Sequence, residues 1–219
     1  MRKDTISFLY LVVILMTMED SNKKTIESYE LGINEYIQNT PSKRGEVVED
    51  WIEKSTRDLE PDAKILEIGS AYGRDAKIIE EKGLHVEKTD ATKGFVDILR
   101  KDDPSAHVLD ILTDEINNTY DLIIANAVFL HFNDKEIHIA STKAFNALNP
   151  SGRLALTLKS GEGEAWQSNK GMAPRFFNYW SKEGIVELLV NEIGFSSIDA
   201  WLDSSDSSNA TWIMVVARK

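Results

Sequence analysis

The chain has 219 residues, 42% of them hydrophobic and 28% charged, with 12 Gly and 5 Pro; this is the profile of an ordinary globular domain and excludes a collagen-like or disordered chain. The absence of Cys removes thiolate nucleophiles, iron–sulfur clusters, cysteine zinc sites and disulfides, and it fits a reducing, cytoplasmic setting. Lys and Arg number 25 against 36 Asp and Glu, a formal charge of −11, so the overall field repels phosphate backbones and favours a small-molecule partner over nucleic acid.

Residues 1–18 form an apolar N-terminal extension, in which Arg2 and Lys3 precede the run Phe8 to Met16 and the composition turns acidic at Glu19 and Asp20. The run is too short for a membrane span, which takes about 20 apolar residues. Asp4 in the basic stretch and the lack of an Ala-x-Ala-like site depart from a secretory signal. Three readings stay open: an upstream start with the working protein beginning at Met18, a packed or membrane-touching helix, and a true signal. Residues 19–219 read as one domain.

Glu27 to Tyr36 and Val47 to Leu59 predict two helices by the spacing of their apolar residues, within a helical segment 25–60. Lys64 to Ile68 predicts a strand ending at Gly69, and Arg74 to Lys82 a helix stopped by Gly83. The unit repeats: a weak strand Leu84 to Thr89 reaches Asp90, a helix covers Phe95 to Lys101, and a strand His107 to Leu109 reaches Asp110. Tyr120 to Ala125 is apolar enough to be buried on both faces of a sheet.

Asn133 with Glu136 three residues later has the form of a capping box, and Ile137, Ala140, Ala144 and Leu148 continue that helix to the turn Asn149 to Gly152. Arg153 to Leu158 is the next strand. Ser181 caps a last helix, whose Ile185, Leu188, Leu189 and Ile193 share a face until Gly194. Ser197 to Trp201 and Thr211 to Ala217 follow with no helix between them, so they are expected to pair antiparallel.

This alternation predicts an α/β fold: a doubly wound, mostly parallel, Rossmann-like seven-stranded sheet with an antiparallel C-terminal hairpin and helices on both faces. Ligands of such sheets bind beyond the carboxyl ends of the strands. Those ends carry Glu67-Ile68-Gly69, Asp90, Asp110 and Asn126.

The stretch Ile65 to Asp75, Ile-Leu-Glu-Ile-Gly-Ser-Ala-Tyr-Gly-Arg-Asp, resembles the first motif of class I S-adenosylmethionine-dependent methyltransferases. Asp90, Asp110, the stretch Tyr120 to His131 and Leu148 to Gly152 fall in that family's order and approximate spacing. The resemblance implies that S-adenosylmethionine is the cofactor and that Glu67, Gly69, Ser70, Gly73, Arg74, Asp90, Ala91, Asp110, Ile111 and Asn126 bind it. Asp90, 21 residues after Gly69, would accept from the ribose hydroxyls, and Asp110 from the adenine amino group beside Ile111. Glu67 would face the methionyl ammonium, and Arg74 or helix-start amides the carboxylate. Ala71 stands where the family most often has a second glycine. The dinucleotide-binding rival requires Gly-x-Gly-x-x-Gly, which Gly69 to Gly73 does not supply.

For the chemistry, His131 beyond the fourth strand is the candidate general base, with a capping or packing role as its other reading. Substrate candidates are Tyr29 and Tyr36, seven residues apart on the first helix of an N-terminal cover, and Glu164, Arg175 and Tyr179 in the stretch after the fifth strand, read as a loop or lid. Arg175 would grip a carboxylate or phosphate; packing is the alternative for each. His85, His107 and His138 are too scattered to form a metal-ligand set. A binding module without transfer, and a protein or RNA methyltransferase, are the alternatives to a small-molecule enzyme.

Overall fold

Four buried residues in a row make β1 (Ile65–Ile68) a strand covered on both faces, as a central parallel strand must be. β2 (Val86–Asp90), the short β3 (His107–Val108), β4 (Tyr120–Ala125) and β5 (Leu148–Lys159) join it in parallel. β8 (Ser197–Asp203) and β9 (Trp212–Arg218) form the closing antiparallel hairpin, with β9 inserted beside β5. The resulting seven-stranded order is β3-β2-β1-β4-β5-β9-β8. In this computed structural model the described residues are 21–41, 43, 45–204 and 210–219; the apolar extension 1–18 lies outside them. Among the described residues no helix is long and apolar enough to cross a membrane.

Strand alternation splits the interior into two cores. Leu66, Ile68, Ile123, Ala125, Leu154 and Leu156 meet α6 (Asp134–Ala147) and the C-terminal helix on one face. Ile65, Leu122, Ile124, Ala155 and Met214 meet α3 (Glu46–Thr56) and α4 (Arg74–Glu80) on the other. Successive side chains of a strand point to opposite faces, so one apolar run builds both layers. The predicted capping box is present: Asn133 accepts from the Lys135 and Glu136 amides while Glu136 accepts from the Asn133 amide.

Several predicted elements differ in detail. The single helix over Glu27 to Tyr36 is two, α1 (21–31) and α2 (Ile33–Gln38), divided at Gly32. The turn Asn149 to Gly152 lies inside β5, where the pairing with β4 jumps from Tyr120↔Leu148 to Leu122↔Arg153. α5 (Lys93–Leu99) starts two residues early. The last helix begins as α7 (Lys182–Glu187) and widens into a π-helical turn, Leu188–Ile193, before Gly194. The stretch read as a loop forms a second sheet, β6 (Glu164–Gln167) paired antiparallel with β7 (Arg175–Asn178).

Candidate active site

Register places the acidic strand ends side by side. Ile68 of β1 lies opposite Thr89 of β2, so the turn that follows β1 meets the end of β2. The Ser70 amide donates to the Thr89 carbonyl at 2.8 Å and the Ser70 hydroxyl accepts from the Thr89 amide, which fixes the turn on its neighbour. Within the turn Gly69 has φ +74°, Ala71 +49° and Gly73 +83°. Ala71 thus adopts the left-handed conformation that a glycine enters freely, at about 1–2 kcal/mol for an L-residue.

Asp90 is buried at the end of β2. Its Oδ2 accepts from the Ala71 amide at 2.9 Å and its Oδ1 from the Thr92 amide at 2.7 Å. Burial raises its pKa, and the two backbone amides pull it back towards the charged form. Next in the row, the Leu109 amide bonds the Asp90 carbonyl, bringing β3 and Asp110 alongside. Asp110 Oδ1 accepts from the Leu112 amide and Oδ2 from Asn22 Nδ2 at 2.8 Å, with Ile111 buried beside it. The Asn22 amide makes the kind of N–H bond that an adenine amino group makes.

Asn22 belongs to α1, whose inward stripe is polar: Ser21, Thr25 and Ser28 are buried at helical spacing. Ser28 donates to the Ala173 carbonyl and Thr25 accepts from the Phe176 amide, so α1 seats on the β7 side. On the other flank Glu30 accepts from the Gly94 amide at the start of α5. α1 and α2 therefore lie over the strand ends. α3, grouped with them as a cover from sequence, instead packs on the sheet face, where the Trp51 indole donates to the Val215 carbonyl.

At the centre of this seat is a chain of hydrogen bonds whose directions are fixed. His131 Nδ1 is 2.5 Å from the Phe176 carbonyl, which only accepts, so Nδ1 carries the proton and Nε2 is the acceptor. Tyr29 must then donate its hydroxyl proton to Nε2, 2.9 Å away, and its oxygen accepts from Arg175 Nη1 at 2.8 Å. Burial pushes the His131 pKa down to about 3, and the nearby Arg175 and Lys159 charges push the same way against the Phe176 bond. Burial also raises the Tyr29 hydroxyl, with the Arg175 cation opposing it. The histidine is neutral at physiological pH with its lone pair already engaged. That geometry orients Tyr29 and supplies little basicity.

The linkage has a definite sign. A folded pKa below the unfolded value of about 6.5 means that the unfolded chain binds the extra proton, so this contribution is complete above pH ~6.5 and is lost as pH falls towards 3. We expect the melting temperature to fall between pH 7 and pH 5, and His131→Asn, which keeps a donor for the Phe176 carbonyl, to flatten that fall. Identical slopes for the two proteins in a melting series would refute the assignment.

Arg74, the candidate for the methionyl carboxylate, donates from Nη1 to the Pro41 carbonyl at 2.7 Å and stacks its guanidinium on Tyr72, which ties it to the segment before α3. The Asn126 amide is engaged inside the protein at both ends, by Asp75 Oδ2 and Thr157 Oγ1. Glu164 is exposed on β6 and Tyr179 is half-buried against Gly161. Tyr36 packs edge-on against Tyr29 at 5.6 Å and Phe95 at 5.4 Å. Glu67 is buried, with its backbone carbonyl accepting from Thr89 Oγ1, and Ala91 is half-buried beside Asp90. The sequence reading missed Asn22, Thr25, Ser28 and Asp75. The signal in α1 was a small polar residue at i, i+4 and i+7, Ser21, Thr25 and Ser28, with Asn22 next to the first, where a packed helix ordinarily shows apolar ones.

A family profile described as "Methyltransferase domain" matches residues 41–199. No curated protein sequence matches the chain. Among solved structures, the 1,6-didemethyltoxoflavin-N1-methyltransferase of Burkholderia thailandensis, with bound 1,6-didemethyltoxoflavin and S-adenosylhomocysteine, matches at TM-score 0.64 and 16% identity, over 80% of this chain and 78% of that one. A SAM-dependent methyltransferase of Methanosarcina mazei matches at 0.62 and 13%, over 80% and 98%. Phosphoethanolamine N-methyltransferase 2 of Haemonchus contortus, in complex with S-adenosyl-L-methionine, matches at 0.66 and 16%, over 87% of this chain and 57% of that one. At these identities the likeness is one of fold.

Proposed function

The chain belongs to the methyltransferase-domain family, and on that premise we propose that it moves a methyl group from S-adenosylmethionine to a small-molecule acceptor. The observation that carries the reading is the glycine turn docked on Asp90. A carboxylate offers about four lone-pair positions, and Asp90 accepts from the Ala71 and Thr92 amides and from the Thr92 hydroxyl. The position that remains, together with the one the Thr92 hydroxyl gives up on turning aside, suits a vicinal diol such as a ribose. The residues present fit an adenosyl group: an acceptor-only carboxylate at the end of β2, an amine-accepting Asp110 beside buried Ile111, and a turn with three positive φ values.

Bound S-adenosylmethionine supplies a methyl on a sulfonium, whose carbon–sulfur bond breaks as the acceptor's bond to carbon forms, and S-adenosylhomocysteine leaves. The chain's own part is to bind and to orient, and positioning of this kind is worth orders of magnitude in rate. Asp90 and Asp110 hold the adenosyl end. His131 is a positioning residue that keeps Tyr29, and through it Arg175, in one arrangement. The polar inner stripe of α1 closes the seat against water.

Calorimetry of the full chain with S-adenosylmethionine and S-adenosylhomocysteine tests the reading, followed by transfer of labelled methyl to a panel of small acids, amines and phenols. Binding in the range of about 1 μM to 1 mM, usual for enzyme substrates, is expected with turnover on at least one class. Failure to bind either ligand would remove the assignment, and binding without turnover on any class would leave a carrier in place of an enzyme.

A further inference from the structure

Arg175 is 3% exposed, and no carboxylate pairs with it among the described residues. Among the described residues only Nη1 is engaged, by the Tyr29 hydroxyl. Nε and Nη2, both buried, have no hydrogen-bond partner among the described residues. These two nitrogens share one edge of the guanidinium plane, and their N–H bonds run nearly parallel. That edge is the fork that matches the two oxygens of a carboxylate.

A buried cation without a counter-charge is costly. Stacking over the Tyr29 ring at 4.8 Å and the Phe177 ring at 5.6 Å offsets part of that cost. It leaves the donors of the Nε–Nη2 edge unmet. The surroundings hold the edge still: Tyr29 is locked by His131, His131 by the Phe176 carbonyl, and Arg175 itself by β7 pairing with Gln167. A group so fixed and buried, with this edge unsatisfied among the described residues, is a binding element.

We propose that the methyl acceptor carries a carboxylate, bound as a pair of hydrogen bonds by Nε–H and Nη2–H of Arg175, between the aromatic walls of Tyr29 and Phe177. The flat fork, stacked on two ring faces, fits the planar carboxylate better than a tetrahedral phosphate. The flat walls select a planar body next to the acid. This deepens the methyl-transfer reading and rests on it, since the acceptor must lie beside the adenosyl group.

The test titrates the full chain with benzoate, benzamide and inorganic phosphate, each with and without saturating S-adenosylhomocysteine. Benzoate binding is expected, at least tenfold tighter than benzamide and than phosphate. Arg175→Lys, which keeps the charge and loses the fork, weakens benzoate at least tenfold, and Arg175→Met removes its binding. Both variants keep the S-adenosylhomocysteine affinity within twofold, which also reports that they are folded. The proposal is overturned if benzoate does not bind in either condition, if benzamide or phosphate binds as tightly, or if Arg175→Met leaves benzoate affinity unchanged. A tenfold loss of S-adenosylhomocysteine affinity in Arg175→Met also overturns it, because the fork then serves the cofactor's own carboxylate. If the wild-type chain fails to bind S-adenosylhomocysteine, the methyl-transfer reading fails, while the benzoate titration alone still decides whether the anion site exists.

Discussion

Asp90→Ala weakens S-adenosylhomocysteine binding by about 100-fold or more. Each hydrogen bond to a charged group is worth about 1.5–3 kcal/mol, and on the proposed reading a ribose diol would make two with this carboxylate, so about 3 kcal/mol or more would disappear, at 1.4 kcal/mol per tenfold. The same change strips the Ala71 and Thr92 amides of their acceptor, at about 1–3 kcal/mol for each group left buried and unsatisfied, so the melting temperature falls as well. Asp90→Asn separates the two effects. It retains one oxygen for a backbone amide and folds better than the alanine variant, but it presents a donor where the diol needs an acceptor. Calorimetry beside thermal melts reads both. A folded Asp90→Ala protein that binds S-adenosylhomocysteine within threefold of wild type would overturn the role given to this residue.

Gly69→Ala is the second large effect, and it acts through space as well as backbone. Gly69 has φ +74°, and a Cβ there comes to 2.4 Å of Val128 Cγ2, well inside van der Waals contact. The left-handed conformation costs an L-residue about 1–2 kcal/mol, and overpacking of this kind about 1–3 kcal/mol. For a chain of this size each kcal/mol lowers the melting temperature by about 2–4 °C, so a fall of about 5–15 °C is expected, with cofactor binding reduced as the turn shifts. Adding Val128→Ala removes the collision and leaves the backbone strain. The double variant therefore melts above the prediction from adding the two single effects, a positive coupling between neighbours in contact. Strict additivity, or a Gly69→Ala melt within about 2 °C of wild type, would show that the turn is not tightly seated.

The parallel strands were legible because burial on both faces demands unbroken apolar runs, which Leu122 to Ala125 supplies without help from neighbours. The Asn133–Glu136 cap was legible for the same local reason, since both partners sit within four residues. The break at Gly32 was missed because Glu27 to Tyr36 keeps helical spacing through it; in space, a Cβ at Gly32 comes to 2.9 Å of the Met172 side chain, from a distant part of the chain. The β6–β7 pair was missed because its first strand is half exposed and gains its order from the partner, Trp166 lying opposite Phe176.

For the site, the glycine turn and the strand-end acids were readable as spacing, and Arg175, Tyr29 and His131 as candidate types in three unconnected places. The sequence by itself determined the order of strands and helices, the turn at Gly69 and the acid that ends each early strand, because those depend on hydrophobic period and backbone conformation over a few residues. Only the tertiary structure decided that Arg175 and Tyr29, 146 positions apart, share a bond, that Arg74 and Asn126 make hydrogen bonds within the protein, and which nitrogen of His131 carries the proton. Such pairings depend on packing between remote segments, where a polar side chain takes whichever partner the fold brings within about 3 Å, and no pattern local to the chain encodes that choice.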